Sequence, residues 1–125
     1  MIMIDKQSRI PIYEQLTDGI KKEIISGCMT SNELIPSVRA LSMELSINPN
    51  TVQKAYNELE RRGITHSVPG VGRYVSENAL NIIKQEMGSS EELLKKAVHD
   101  LKIAGYTQQE IIEKVNSFYG GVSND

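Results

Sequence analysis

Ser37-Val38-Arg39-Ala40-Leu41-Ser42-Met43-Glu44-Leu45, the three-residue gap Ser46-Ile47-Asn48, and then Pro49-Asn50-Thr51-Val52-Gln53-Lys54-Ala55-Tyr56-Asn57-Glu58-Leu59 decide how this chain folds. Ser37 stands where a helix N-cap belongs, and Val38, Leu41 and Leu45 follow at helical spacing. Asn48-Pro49 then restarts a helix. Asn is a strong N-cap, and Pro suits the first turn because its φ is already helical and the N–H it lacks would have no partner there. The restarted helix is predicted to run from Pro49 to about Arg62, with Gly63 ending it. Val52, Ala55, Tyr56 and Leu59 follow one face and must meet a core, while Asn50, Gln53, Lys54, Asn57 and Arg61 follow the opposite face. Two helices this close form a helix-turn-helix.

Upstream, Pro11 opens another helical pattern, with Ile12, Leu16, Ile20 and Ile24 at steps of four and Gly27 stopping it near Ser26. Residues 28–36 read as a connector ending in Pro36. Downstream, two short strand-like stretches, 64–68 and 73–76, are joined by Pro69-Gly70-Val71-Gly72 as a tight turn. Helix, helix, short turn, helix, hairpin is the order of a winged helix-turn-helix.

Beyond Glu77 the pattern is purely helical. Leu80, Ile83, Met87, Ser90, Leu94, Ala97, Leu101 and Ala104 alternate steps of three and four, an apolar seam interrupted only by Ser90. Gly88-Ser89-Ser90 resembles a break, and Ser89 with Glu92 would fit a capping box. The seam nevertheless keeps its phase across it, which two independent helices have no reason to do, so one long helix is the preferred reading. Gly105 ends it, with Tyr106 placed for the apolar contact beyond a glycine cap, and Thr107 with Glu110 starts another helix carrying Ile111, Ile112, Val115, Phe118 and Tyr119 ahead of a polar tail. The expected fold is mainly α with a small β-hairpin: a winged helix-turn-helix DNA-binding domain over 1–76, then a C-terminal helical hairpin over 77–125 that serves dimerisation.

The totals allow this. A chain of 125 residues holds one domain plus an appendage, and 39% hydrophobic with 24% charged residues is ordinary for a globular protein. The apolar runs fall short of the roughly 18 residues that span a bilayer, and the start lacks the basic end and long apolar stretch of a signal peptide. The single cysteine, Cys28, excludes an internal disulfide, so a reducing cytoplasm is the expected location. The net charge of −2 is divided unevenly: residues 1–76 hold nine Lys/Arg against eight Asp/Glu, and residues 77–125 hold five against eight. Nucleic-acid binding needs a local patch rather than a basic total.

The polar face of the third helix carries the chemistry. An ordinary surface helix is rich in Glu and Lys, whereas this one leads with Asn, Thr and Gln, which hydrogen-bond base edges in a major groove entered N-terminus first. The competing reading is a solvated amphipathic helix. In the hairpin, Gly70 and Gly72 permit a narrow tip that lets backbone approach phosphate or the minor groove, with Arg73 beside it and His66 on the facing strand. His66, His99 and Cys28 lack metal-ligand spacing, and no Ser–His–acid grouping or carboxylate pair is evident. Neither an enzyme nor a cofactor or metal is expected.

Residues 10–75 resemble the DNA-binding domain of the GntR family of bacterial regulators. The match runs through Pro11-Ile12-Tyr13-Glu14-Gln15-Leu16, Ile35-Pro36-Ser37-Val38-Arg39-Ala40-Leu41, Ile47-Asn48-Pro49-Asn50-Thr51-Val52-Gln53-Lys54-Ala55-Tyr56, Glu58-Leu59-Glu60-Arg61-Arg62-Gly63 and Gly70-Val71-Gly72-Arg73-Tyr74-Val75. The Asn-Pro-Asn-Thr-Val form and the short helical tail are similar to the YtrA-like subfamily. The resemblance implies that Arg39 contacts DNA, that Asn48, Asn50, Thr51, Gln53 and Lys54 occupy recognition-helix contact positions, and that Gly70 is the wing-tip glycine. Arg73 joins these as a candidate wing contact. Departures are Pro49, where many relatives outside the subfamily carry arginine, Pro69 and Val71, where basic residues are common, and Arg73, which replaces a usual Thr or Ser.

The resemblance further implies that the tail pairs two subunits. The seam is longer than the helix that could cover it, which independently points to a homodimer through Leu80, Ile83, Met87, Leu94, Ala97, Leu101, Ile111, Ile112 and Val115. The expected function is a sequence-specific transcription regulator, a homodimeric repressor on a palindromic operator in double-stranded DNA, with no membrane partner and any small-molecule effector unassigned. The alternatives are a winged-helix protein-interaction module without DNA readout and a ligand sensor using a crevice between the winged domain and the tail.

Overall fold

The structure, a computed structural model, describes residues 2–120 and divides into two compact units, Met1–Gln85 and Glu86–Asp125. The expected polar tail, 121–125, lies outside the described residues. In chain order the elements are α1 (Ile12–Ser26), α2 (Val38–Leu45), α3 (Pro49–Arg61), β1 (Thr65–Val68), β2 (Gly72–Val75), α4 (Ala79–Ile103) and α5 (Gln108–Tyr119). No described helix is long and apolar enough to cross a membrane.

Local chemistry places each helix end. Pro11 is the N-cap of α1, one residue earlier than its expected role, because its ψ of 142° is extended rather than helical. Ser37 Oγ accepts from the Ala40 amide at 3.0 Å, and Asn48 Oδ1 accepts from the Asn50 amide at 2.8 Å, each engaging a donor that a helix start leaves unpaired. At the end of α2, Ser46 turns left-handed (φ 55°, ψ 49°), while Ile47 N–H donates to the Ser42 carbonyl at 3.0 Å. That cap lets α3 begin within two further residues. α3 ends the same way, with Gly63 N–H donating to Glu60 and Ile64 N–H to Leu59, both at 2.9 Å, and the fully buried pair Leu59 and Ile64 provides the accompanying apolar contact.

The core of the first unit forms around α3. Val52, Ala55, Tyr56 and Leu59 are buried, as their spacing predicts, together with Leu16, Ile20 and Ile24 of α1 and Leu41 of α2. Ile35, Ile64 and Val75 join from the wing side, and Ala79 and Ile83 from the start of α4. The first turns of α4 therefore belong to this core, which extends the unit past Ser76. Ile83, counted in the seam by its spacing, is 2% exposed. It lies one helical turn after Ala79 on the same face and so serves this core, while the seam residue before it, Leu80, stays exposed.

Residues 28–36 are more than a connector. Asn32 N–H donates to the Val75 carbonyl at 2.8 Å, Val75 N–H to Glu33 at 2.9 Å and Ile35 N–H to Arg73 at 2.9 Å, with Leu34 bridged to Tyr74. The stretch is a third, antiparallel edge on the β1–β2 hairpin, whose own register runs from Thr65↔Val75 to Val68↔Gly72. The tip is a type II turn: Val71 N–H donates to Val68 at 3.0 Å, with Pro69 at the second position and Gly70 at the third, where φ is +76°. Gly72, at φ +143°, leaves room for Leu34, since a Cβ there would stand 3.0 Å from Leu34 Cδ1. Gln15 fastens the N-terminal segment, accepting from the Asp5 amide at 2.8 Å and donating to the carbonyls of Asp5 at 3.0 Å and Ile10 at 2.9 Å, while Ile2 packs on Gly19.

In the second unit, α4 passes Gly88 without a break. The Ser89–Glu92 box does not form, and Ser90 Oγ donates instead to the Glu86 carbonyl at 3.4 Å. The helix ends at Gly105 in the expected cap, with Tyr106 N–H donating to Leu101 at 3.0 Å. Thr107 and Glu110 form the full reciprocal capping box that starts α5. None of residues 86–120 is buried, so these two helices contain no core of their own.

Among the described residues Asn32 and Ser46 are the non-glycine residues with positive φ; asparagine tolerates that conformation, whereas a serine held left-handed costs about 1 kcal/mol or more. Ser46→Gly is expected to raise the unfolding free energy by about 1 kcal/mol, read as a higher urea midpoint for the full chain. An unchanged or lower midpoint would show that the turn is unstrained.

Candidate nucleic-acid interface

The hydrophobic face of α3 is fully occupied, which leaves its other face to define the site. Asn50, Gln53, Lys54, Asn57, Glu58 and Arg61 line one shallow depression there, so periodicity and structure place the same residues together. Among the described residues, no hydrogen bond or ion pair engages the side chain of Asn50 or of Arg39, and both are exposed. Arg39 sits in the first turn of α2, two residues after the Ser37 cap. Asn48 is committed to capping, as its place before Pro49 predicts, and Thr51 is half-buried behind it.

The remaining candidates are held in ways that spacing does not reveal. Lys54 lies over the Tyr13 ring, its Nζ 4.0 Å from the centroid, and so leans toward α1. Gln53 Nε2 donates to Asn57 Oδ1 at 2.9 Å. Arg73 is not at the wing tip: its Nη2 donates to the same Asn57 oxygen at 3.2 Å and its Nη1 lies 3.4 Å from Glu60 Oε1. The Arg73 guanidinium also covers the Tyr56 ring at 5.6 Å. Gly70 is exposed at the tip with nothing near it, and His66 stacks on Tyr74 at 5.7 Å across the hairpin.

Two of the charges on this face, Glu58 and Arg61, answer each other. Arg61 grips Glu58 through a 2.6 Å ion pair. That hydrogen bond holds the Glu58 carboxyl below its usual range, so it stays ionised and its charge is answered locally. Beneath the face, the Tyr56 hydroxyl donates to the Pro36 carbonyl at 2.8 Å. Burial pushes that phenol up to about 12, with Arg73 opposing the rise and Glu44 adding to it. The arrangement offers amide donors and acceptors on an exposed helix beside a hairpin, the chemistry of base-edge recognition.

The expected dimerisation residues divide by position. Leu80, Met87, Leu94, Ala97, Ile112 and Val115 are exposed, Leu101 and Ile111 are half-buried, and Ile83 is buried in the first unit. Leu93, Val98, Phe118 and Tyr119 are also exposed. A strict three-four spacing does not include Leu93 and Val98.

Residues 12–75 match the family described as "Bacterial regulatory proteins, gntR family". The chain is 39% identical over 130 residues to the HTH-type transcriptional repressor YtrA of Bacillus subtilis (strain 168), with 100% of both chains covered. Its fold matches the crystal structure of a transcriptional regulator from Oenococcus oeni at a TM-score of 0.69 and 33% identity, covering 94% of this chain and 98% of that one. It also matches AraR(DBD) in complex with operator ORX1 at a TM-score of 0.54 and 26% identity, over 59% of this chain and 92% of that one.

Asn48→Ala is expected to lower stability by about 1 kcal/mol, because the Asn50 amide would lose its 2.8 Å partner. Asn48→Asp is expected to retain most of it. Equal urea midpoints for Asn48→Ala and the wild type would show that the cap contributes nothing.

Proposed function

The chain belongs to the gntR family of bacterial regulatory proteins, and from that premise we propose that it is a homodimeric DNA-binding transcription repressor acting on a two-fold symmetric operator. The observation that carries the reading is the exposed amide face of α3, with Asn50, Gln53 and Asn57 on a helix whose opposite face is locked into the core. Such a helix enters the major groove and reads base edges, while Arg39 and the α2 N-terminus lie along the phosphates. The similarity to AraR(DBD), solved in complex with an operator, supports DNA binding, and the similarity to the repressor YtrA supports the sign of regulation. Gly70 at the exposed hairpin tip is the wing's point of approach to the DNA backbone.

The missing core of the second unit supports dimerisation. Met87, Leu94, Val98, Ile112, Val115 and Phe118 are exposed in the single chain. These side chains are already about half covered, so burying the rest contributes about 1 kcal/mol each, of order 10 kcal/mol over the two chains together, comparable with an association cost of roughly 4–15 kcal/mol. A two-fold protein then requires a two-fold operator.

Light scattering is expected to give a dimer at micromolar concentration. Leu94→Asp combined with Phe118→Asp, both on exposed positions, is expected to give a folded monomer with weakened binding to DNA from upstream of the protein's own gene. A wild-type monomer would defeat the dimer reading. For Arg39→Ala, the expected result is a uniform loss of affinity on all sequences and a salt slope smaller by about one unit, measured by fluorescence anisotropy across a salt series. Unchanged affinity on every duplex would remove Arg39 from the interface.

A further inference from the structure

We propose that Arg73 is a specificity-determining positioning residue: acting from the wing, it fixes the Asn57 amide so that Gln53 is held in a single base-reading orientation. The inference rests on the reading of α3 as the recognition helix and names a determinant within it.

Arg73 occupies the facing edge of β2, yet its side chain is only 19% exposed and is directed onto α3. Three contacts hold it there: the Tyr56 ring under the guanidinium, Glu60 Oε1 at 3.4 Å, and Asn57 Oδ1 at 3.2 Å. Ser67 Oγ, directly across the hairpin from Arg73, donates to the same Glu60 oxygen at 2.6 Å, so β1 and β2 both tie to one carboxylate on α3. A guanidinium engaged in this way is poorly placed to serve as a phosphate contact at the wing tip.

The hydrogen-bond count on Asn57 decides the consequence. Its carbonyl oxygen has two acceptor sites, and Arg73 Nη2 and Gln53 Nε2 occupy both. Turning the amide over would set its NH2 against two donors, so its orientation is fixed and only N–H donors face outward. Gln53 in turn spends one N–H on Asn57 and keeps one N–H together with its oxygen. That donor–acceptor pair is the complement of adenine N7 and N6 in the major groove. Asn57, left with donors alone, suits acceptors such as guanine O6 and N7. Without Arg73, Asn57 can turn over, and Gln53 loses the constraint that selects adenine.

The test is selection from randomised duplexes with the full chain, comparing wild type, Gln53→Ala, Arg73→Thr, Asn57→Ala and the double variant Arg73→Thr with Gln53→Ala. Gln53→Ala identifies the base pair that Gln53 reads in each half-site. Arg73→Thr is expected to relax preference at that same pair about fivefold or more, and the double variant to add little, because both changes remove one reading event. Asn57→Ala, an exposed substitution that leaves the core intact, is expected to relax the same pair even if Arg73→Thr disturbs the wing. Retained preference at that pair in Arg73→Thr or in Asn57→Ala overturns the proposal. So does an equal loss on all sequences with a salt slope smaller by about one unit, which is the signature of a phosphate contact. A wild-type chain that selects no sequence sinks the recognition-helix reading itself.

Discussion

The Tyr56 hydroxyl reaches the Pro36 carbonyl at 2.8 Å from the buried side of α3, and the setting of the outer face of that helix depends on this anchor. The ring is 1% exposed and lies among residues of α1, α2 and the wing sheet. Its hydroxyl satisfies a carbonyl in the approach to α2, and its face receives the Arg73 guanidinium at 5.6 Å. One side chain thus ties α3 to the segment before α2 and to the hairpin after it. A phenol serves here where Phe would not, because the part-buried Pro36 carbonyl would lose its donor. With the inner face held at this depth, Asn50, Gln53 and Asn57 necessarily point outward.

Much of this was legible from sequence because helix termini carry local chemistry. Ser37, Asn48-Pro49, Gly63, Gly105-Tyr106 and Thr107 with Glu110 mark ends through hydrogen bonds made within a few residues, and spacing predicts the division of α3 into two faces. The continuity of α4 through Gly88 was legible for a different reason, since a seam that keeps phase records a single helix. What stayed hidden depends on distant partners. Residues 32–35 become a sheet edge only because Val75 and Arg73 offer free backbone groups, and nothing in Asn32-Glu33-Leu34-Ile35 alternates as a strand would. Gln15 holds the N-terminal segment through three bonds to Asp5 and Ile10, which no periodicity encodes.

The candidate site shows the same limit at the level of side chains. Spacing places Arg73 beside the wing tip and Lys54 on the exposed face, but a position on a strand or helix does not determine where a long side chain goes. Arg73 finds an aromatic ring, a carboxylate and an amide within reach, and Lys54 finds the Tyr13 ring. Both basic residues therefore act first within the fold. Ile83 is misread by spacing for a related reason. It is in phase with the seam and also one turn after Ala79, and the first unit's core takes it.

In the proposed dimer, the second unit, whose residues 86–120 include none that is buried, makes abundance itself a regulatory variable. There the apolar face of the tail is covered only when a second copy arrives, so its burial is linked to encounter between molecules. While monomers predominate, operator occupancy then rises with the square of the number of copies in the cell rather than in proportion to it. Unassembled copies would present Leu93, Phe118 and Tyr119 to solvent, the kind of surface that proteases and chaperones engage. A repressor built this way sets a threshold: below it the promoter is left open, and above it a modest rise in synthesis closes it.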